Sequence, residues 1–182
     1  MLRKSVASSI IRWRGLRRRV TAFFLRRLFR RCGANVVFSP EDNFSYRNIS
    51  IGDHVYIGPG ANFSAITSLE IGNHVMFGPR VIIVGGDHNT SVVGKMMAEI
   101  NWKIPENDRP IRIEDDVWVG AGVVILKGVT LHTGCVVAAG AVVTCDVPEY
   151  AVAAGVPARV VKMRFDDAKL QQHKKILSIK NR

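Results

Sequence analysis

The chain has 182 residues and a mass of 20.1 kDa, enough for one sizeable core and too few for two ordinary domains. Hydrophobic residues make up 47% and charged residues 23%, which excludes wholesale disorder and a bundle of membrane spans. The formal charge of +11 sits in one place: residues 1–31 hold eleven Arg and Lys and no acid, and the rest of the chain carries 15 basic and 15 acidic groups.

A neutral body with a basic arm is not a global nucleic-acid binder, and nucleic acid is not an expected partner. Within the arm, Val6, Ile10, Trp13, Leu16, Val20, Phe23, Phe24 and Leu28 recur at near-helical spacing, with Arg in most other places. The pattern predicts an amphipathic helix lying on an anionic membrane surface. A cap on the domain that follows, an RNA contact and an organellar transit peptide are the alternatives. The longest apolar run, Val20–Leu25, is too short for a bilayer span or a secretory core. The expected location is cytoplasmic, or peripheral on the inner face of the plasma membrane. Three scattered cysteines, Cys32, Cys135 and Cys145, form no CxxC pair and suit a reducing compartment.

From residue 51 a period of six takes over. Ile51, Ile57 and Phe63, then Ile71, Phe77 and Ile83, then Ile113, Val119, Ile125, Leu131, Val137 and Val143 are all apolar. Four residues after each stands a small or β-branched residue, Val55, Val75, Val117 or Cys135 among them, and the one exception is Asp87. Gly often follows the first position (Gly52, Gly58, Gly72, Gly78, Gly120), as at corners where a side chain would crowd the turn. Neither a helix nor a plain alternating strand has this period. Short flat strands joined by tight corners do, with three hexads closing a triangular coil of about 18 residues.

The hexads, together with IRIEDDVWVGAGVVILKGVTL and AAGAVVTCDVPEYAVAAGVPARVVK between Ile111 and Lys162, resemble the hexapeptide-repeat acyltransferases. The similarity covers about residues 49–163 and is closest to the maltose, galactoside and bacterial polysaccharide O-acetyltransferases. It implies an all-β fold, a left-handed parallel β-helix, here with an N-terminal amphipathic helix (1–31) and a short C-terminal helix (166–180) on a body of residues 32–182. It also implies a homotrimer and acetyl-CoA as co-substrate.

After Asp87-His88 the pattern lapses for residues 89–110, an excursion carrying Met96, Met97, Ile100, Trp102 and Ile104. Loops of that length are usually functional, and these apolar groups predict packing on a neighbouring subunit or the acceptor. A sugar hydroxyl is a poor nucleophile near neutral pH, and an imidazole within reach takes its proton as the thioester is attacked. By resemblance, His88 in Gly85-Gly86-Asp87-His88 is that base. His54, His74 and His88 are spaced too widely for the three-histidine zinc site of a related carbonic anhydrase, and no metal is expected. His132 and His173 read as solvated. Cys135 reads as core and Cys145 as a corner residue, neither as a nucleophile.

The resemblance places coenzyme A against Trp118, Ala121, Ala139, Thr144, Arg159 and Lys162, small residues exposing main chain to the pantetheine and two cations meeting phosphates. Cys145 stands where many relatives carry a Lys. The acceptor contacts of the galactoside and maltose enzymes do not align, leaving Asn62, Phe63, Ser64 and Trp102 as candidates. The expected reaction is acetyl-CoA-dependent O-acetylation of a saccharide in a cell-surface polysaccharide (LPS, capsule or exopolysaccharide) or its lipid-linked precursor. N-acetylation of an amino sugar nucleotide and a non-catalytic β-helix scaffold tethered by the arm are the alternatives.

Overall fold

The computed structural model describes the backbone of residues 2–180 and the side chains of residues 13–179. Helix α1 (Leu2–Leu25) leads through a short 3-10 turn, Arg26–Leu28, into a parallel β-helix of about six turns. Val6 and Ile10 of the arm lie outside the described side chains. Among the described residues no helix is long and apolar enough to cross a membrane.

The first turn holds β1 (Arg31–Cys32), a bridge at Val37 and β2 (Asn43–Phe44). The second holds β3 (Ile49–Ile51), β4 (Tyr56–Ile57) and β5 (Asn62–Ser64); the third, β6 (Leu69–Ile71), β7 (Met76–Phe77) and β8 (Ile82–Val84). After residues 89–110 come β9 (Ile111–Ile113), β10 (Trp118–Val119) and β11 (Val124–Leu126), then β12 (Thr130–Leu131), β13 (Val136–Val137) and β14 (Val142–Val143). The stack ends with β15 (Ala151–Ala154), the antiparallel β16 (Arg159–Met163) and helix α2 (Asp167–Lys180).

Strands of like place in each turn pair in parallel, giving three faces: β1-β3-β6-β9-β12 (face A), β4-β7-β10-β13-β15-β16 (face B) and β2-β5-β8-β11-β14 (face C). The period of six follows directly, because each face sends one large aliphatic side chain inward per turn. All twelve first positions of the hexads are buried. The fourth-place residues Val55, Val75, Val81, Val117, Val123, Val129, Cys135 and Ala141 fill the spaces beside them. Thr67, β-branched as the pattern asks, is nonetheless exposed like Asp87, at the same C–A corner one turn earlier, where Ala65 and Gly85 take the inward place.

Turns approach so closely at the corners that a Cβ on Gly52 would sit 2.6 Å from the carbonyl oxygen of Gly72, and one on Gly78 would sit 2.5 Å from the nitrogen of Ala121. That is the reason for Gly after the inward residue. Side chains also tie turn to turn: Asn73 Oδ1 accepts from the Asp53 amide at 2.8 Å, and Asp115 Oδ1 from the Asn73 amide at 2.6 Å.

The β-helix starts earlier than residue 49. Its first turn is closed by an aromatic plug in which Phe29 meets Phe38, Phe44 and Tyr46 with ring centroids 5.5, 5.6 and 4.8 Å apart. The boundary expected at residue 31 falls inside β1. At the other end, the Lys169 amide donates to Asp166 Oδ1 at 2.8 Å, capping α2; that bond holds the Asp166 carboxyl below its usual range. The expectation that His132 and His173 are solvated is corrected. His132 is half-buried with Nδ1 3.2 Å from Glu114 Oε1, one turn away, and His173 packs against Phe165 (5.0 Å) and Tyr150 (5.7 Å).

Candidate active site

His88 follows β8 at the corner between faces C and A, where the chain leaves the coil, and its side chain is exposed. The turn before it is fixed by contact. A Cβ on Gly85 would lie 2.4 Å from the Ser64 carbonyl oxygen, and one on Gly86 would collide with Asp108 Oδ1. The loop then returns to its own starting point. The Asp87 amide donates to the Asn107 carbonyl at 2.8 Å, and Asn107 Nδ2 donates to the His88 carbonyl at 3.2 Å. Lys127, on the next turn, pairs with Asp87 Oδ2 at 2.8 Å and donates to the Glu106 carbonyl. One ammonium thus staples the two feet of the loop.

Asn107 and Lys127 are the residues that reading the sequence missed. A lone Lys among the apolar hexads VVILKGVTL was the available signal for the second. Within the loop, Ile100 and Asn89 are buried while Met96, Met97 and Trp102 stand out, with Lys95 Nζ 5.0 Å above the Trp102 ring. The loop is therefore folded, with an apolar outer surface.

The four acceptor candidates separate. Asn62 and Ser64 face outward on face C; Ser64 pairs with Val84, four residues before His88. Phe63 is corrected: it is 1% exposed and stacks inside the coil between Phe44 (5.3 Å) and Phe77 (5.1 Å), because it holds the inward place of its hexad. Trp102 belongs to the loop, and its ring is partly exposed.

The donor candidates gather on another wall. Trp118 points outward from face B, and Ala121 and Ala139 lie on successive turns at the corner between faces B and C, where the Gly140 amide donates to the Ala121 carbonyl at 2.9 Å. Arg159 and Lys162 are exposed on β16, paired with Ala154 and Val152 at the edge of face B. Thr144 does not join them; it follows β14 and is exposed on the far side of face C. The B–C corner suits an extended pantetheine arm. At Gly122 and Gly140, φ is +66° and +73°, and an added Cβ would meet no atom within 4 Å, so the corner opens onto free space with main chain accessible. In one chain this corner and His88 stand about six extended residues apart, roughly 20 Å across face C.

Two other features bound the chemistry. Burial pushes the Cys135 thiol up to about 12 and withholds it from nucleophilic work. Only the unfolded chain releases that proton once the pH passes the ordinary thiol value, so the Cys135 contribution to stability declines upward from about pH 9. We expect wild type to lose stability relative to Cys135→Ala as pH rises from 8 to 10 in paired urea titrations; parallel curves would contradict this. Among the described residues, no three His, Cys, Asp or Glu groups are placed to hold a metal ion.

Residues 110–145 match the family described as bacterial transferase hexapeptide (six repeats). The chain is 32% identical over 158 residues to the galactoside O-acetyltransferase of Lactococcus lactis, covering 85% of this chain and 73% of that one. A hexapeptide-repeat acetyltransferase of Vibrio cholerae, solved with acetyl coenzyme A, superposes with a TM-score of 0.70 at 34% identity, over 78% of this chain and 75% of the other. A polySia-specific acetyltransferase superposes with a TM-score of 0.59 at 27% identity, over 78% and 70%. With this coil, this family match and these relatives, the chain belongs to the hexapeptide-repeat acetyltransferases and uses acetyl-CoA as its acetyl donor.

Proposed function

We propose that the protein O-acetylates a saccharide hydroxyl of a cell-surface polysaccharide (LPS, capsule or exopolysaccharide) or its lipid-linked precursor, with His88 as general base. The observation that carries this reading is the solvent-facing imidazole where the chain leaves the coil, its loop closed by Asn107 and Lys127. Bound acetyl-CoA supplies the activated thioester. His88 takes the proton of the hydroxyl as it forms the ester bond, the thioester C–S bond breaks, and the imidazolium can return that proton to the departing thiolate; Trp118, Ala121 and Ala139 would line the pantetheine path, and Arg159 and Lys162 would meet phosphate. Asn62, Ser64 and Trp102 would hold the sugar. Thr144 lies on face C, on the His88 side of the coil. The relatives named for galactoside and polySia favour a saccharide acceptor.

The reading requires a homotrimer, because the donor corner and His88 stand on different edges of one chain. The chemistry of the faces supports it. Outward positions of face A are polar or charged: Arg31, Ser50, Glu70, Arg112 and Thr130, with Arg112 and Glu70 paired at 3.1 Å. Outward positions of face B run in register as Val37, Tyr56, Met76, Trp118, Val136 and Val152, an apolar column in which the first four are about half exposed. Face C offers Ile82, Val124 and Val142. The site needs a heterologous ring in which His88 of one subunit reaches the neighbour's donor corner, and the apolar column of face B is a surface that such a ring would cover. The basic arm supports a working place on an anionic membrane, at the cytoplasmic face where a lipid-linked glycan would be met.

Labelled acetyl-CoA and extracted glycan test the reaction. The expected product releases acetate under mild base, as an ester does. A base-stable product would mean acetylation of an amine instead.

A further inference from the structure

Helix α1 docks on the coil by one side only. Ala22 and Leu25 pack on the core of the first turn. Arg18 donates to Glu41 Oε2 at 3.1 Å and to Ser39 Oγ at 2.7 Å, and Arg26 donates to the Gly33 carbonyl. At 3.6 residues per turn these four fall on one side of the helix. Trp13, Leu16, Val20, Phe23 and Phe24 fall on the opposite side, and every one is about half exposed or more. Arginines border that stripe: Arg17 Cζ lies 5.9 Å from the Trp13 ring and Arg27 Cζ 5.6 Å from the Phe23 ring, with Arg14 and Arg19 on the flanks.

We propose that this outward stripe inserts into the headgroup boundary of an anionic bilayer, its arginines on lipid phosphates, while the docked side holds the catalytic coil to the helix. The inference deepens the reading above by naming the surface that presents the acceptor, and rests on that reading for the acceptor alone. Charge and apolarity together select the occupant. A second arm carries the same positive charge and no acid within residues 1–31, so arms repel one another. A nucleic acid would satisfy the arginines and leave two Phe, a Trp, a Leu and a Val in water. A bilayer surface satisfies both. Rotational symmetry sets the three arms of a trimer at one level along the axis, so each weak insertion reinforces the others. His88 then stands two turns from the first, about 10 Å at the spacing of paired strands. The acetylated hydroxyl belongs to a sugar projecting from the surface.

The full chain is sedimented with vesicles of phosphatidylcholine, with and without about 30% phosphatidylglycerol. Wild type should bind the anionic vesicles and be retained roughly tenfold less by the neutral ones. Trp13→Glu/Phe23→Glu/Phe24→Glu should lose binding by at least about tenfold while keeping its oligomeric mass and its thiol release on a soluble saccharide. Brominated phosphatidylglycerol should quench wild-type tryptophan fluorescence and leave Trp13→Phe less affected, reading the same contact without a change of charge. No sedimentation, equal binding by wild type and the triple variant, or retention by RNA alone would overturn the proposal. Each of those results with thiol release intact leaves the catalytic reading standing.

Discussion

His88→Ala should slow acetyl transfer by about a hundredfold to ten-thousandfold, the range a positioned general base contributes. The Michaelis constant for acetyl-CoA should change little, because the imidazole acts on the acceptor hydroxyl and is not one of the donor contacts. The side chain is exposed and outside the hydrophobic core, so the variant should melt with wild type, separating a chemical effect from a structural one. His88→Gln should be equally slow, since an amide keeps hydrogen bonding and cannot accept the proton. Release of free thiol from acetyl-CoA in the presence of saccharide measures the rate. Equal release by wild type and His88→Ala would remove the imidazole from the mechanism.

The second large effect is predicted for Tyr56→Glu/Met76→Glu. Both side chains point outward from face B in register with Trp118 and are about half exposed in the single chain, so the coil itself should fold normally. In the proposed ring they would be covered by a neighbouring subunit. A carboxylate buried there without a partner costs several kcal/mol per site, enough to separate the subunits. Light scattering should give three times 20.1 kDa for wild type and 20.1 kDa for the double variant. Acetyl transfer should disappear with the trimer although His88 is untouched. A monomer with full activity would show that one chain completes the site, against the separation of His88 from the donor corner.

The coil was legible because its packing writes directly into the sequence. Stacked turns put one large side chain inward every six residues, so Ile113 through Val143 give both the period and the inward positions. The first turn carries the same spacing in Cys32, Phe38 and Phe44 but is harder to see, because two of these are aromatic and the third is a Cys, and the next hexad starts out of phase. Phe63 follows from the repeat itself: a residue in the inward place is core and cannot touch an acceptor. His88 was legible as the point where the pattern stops. Its supports were not, since Lys127 and Asn107 reach residues 87 and 88 from 40 and 19 positions away through tertiary contact. The pairing of His132 with Glu114 follows the same logic, one turn of coil being 18 residues. The arm's helix was visible in its spacing; which side docks was not, because Ala22, Leu25, Arg18 and Arg26 differ little in kind from residues on the free side.

The central claim is that each active site joins His88 of one subunit to the donor corner of the next. Mixed trimers test it most directly. His88→Ala keeps its donor corner, and Ala139→Trp keeps its histidine while filling the exposed corner; each alone should be inactive. In a heterologous ring every mixed trimer contains one intact site of three, so unfolding and refolding the two variants together at equal amounts should restore about one quarter of wild-type activity. Activity no greater than the two variants measured separately, with mixed trimers present, would contradict a shared site.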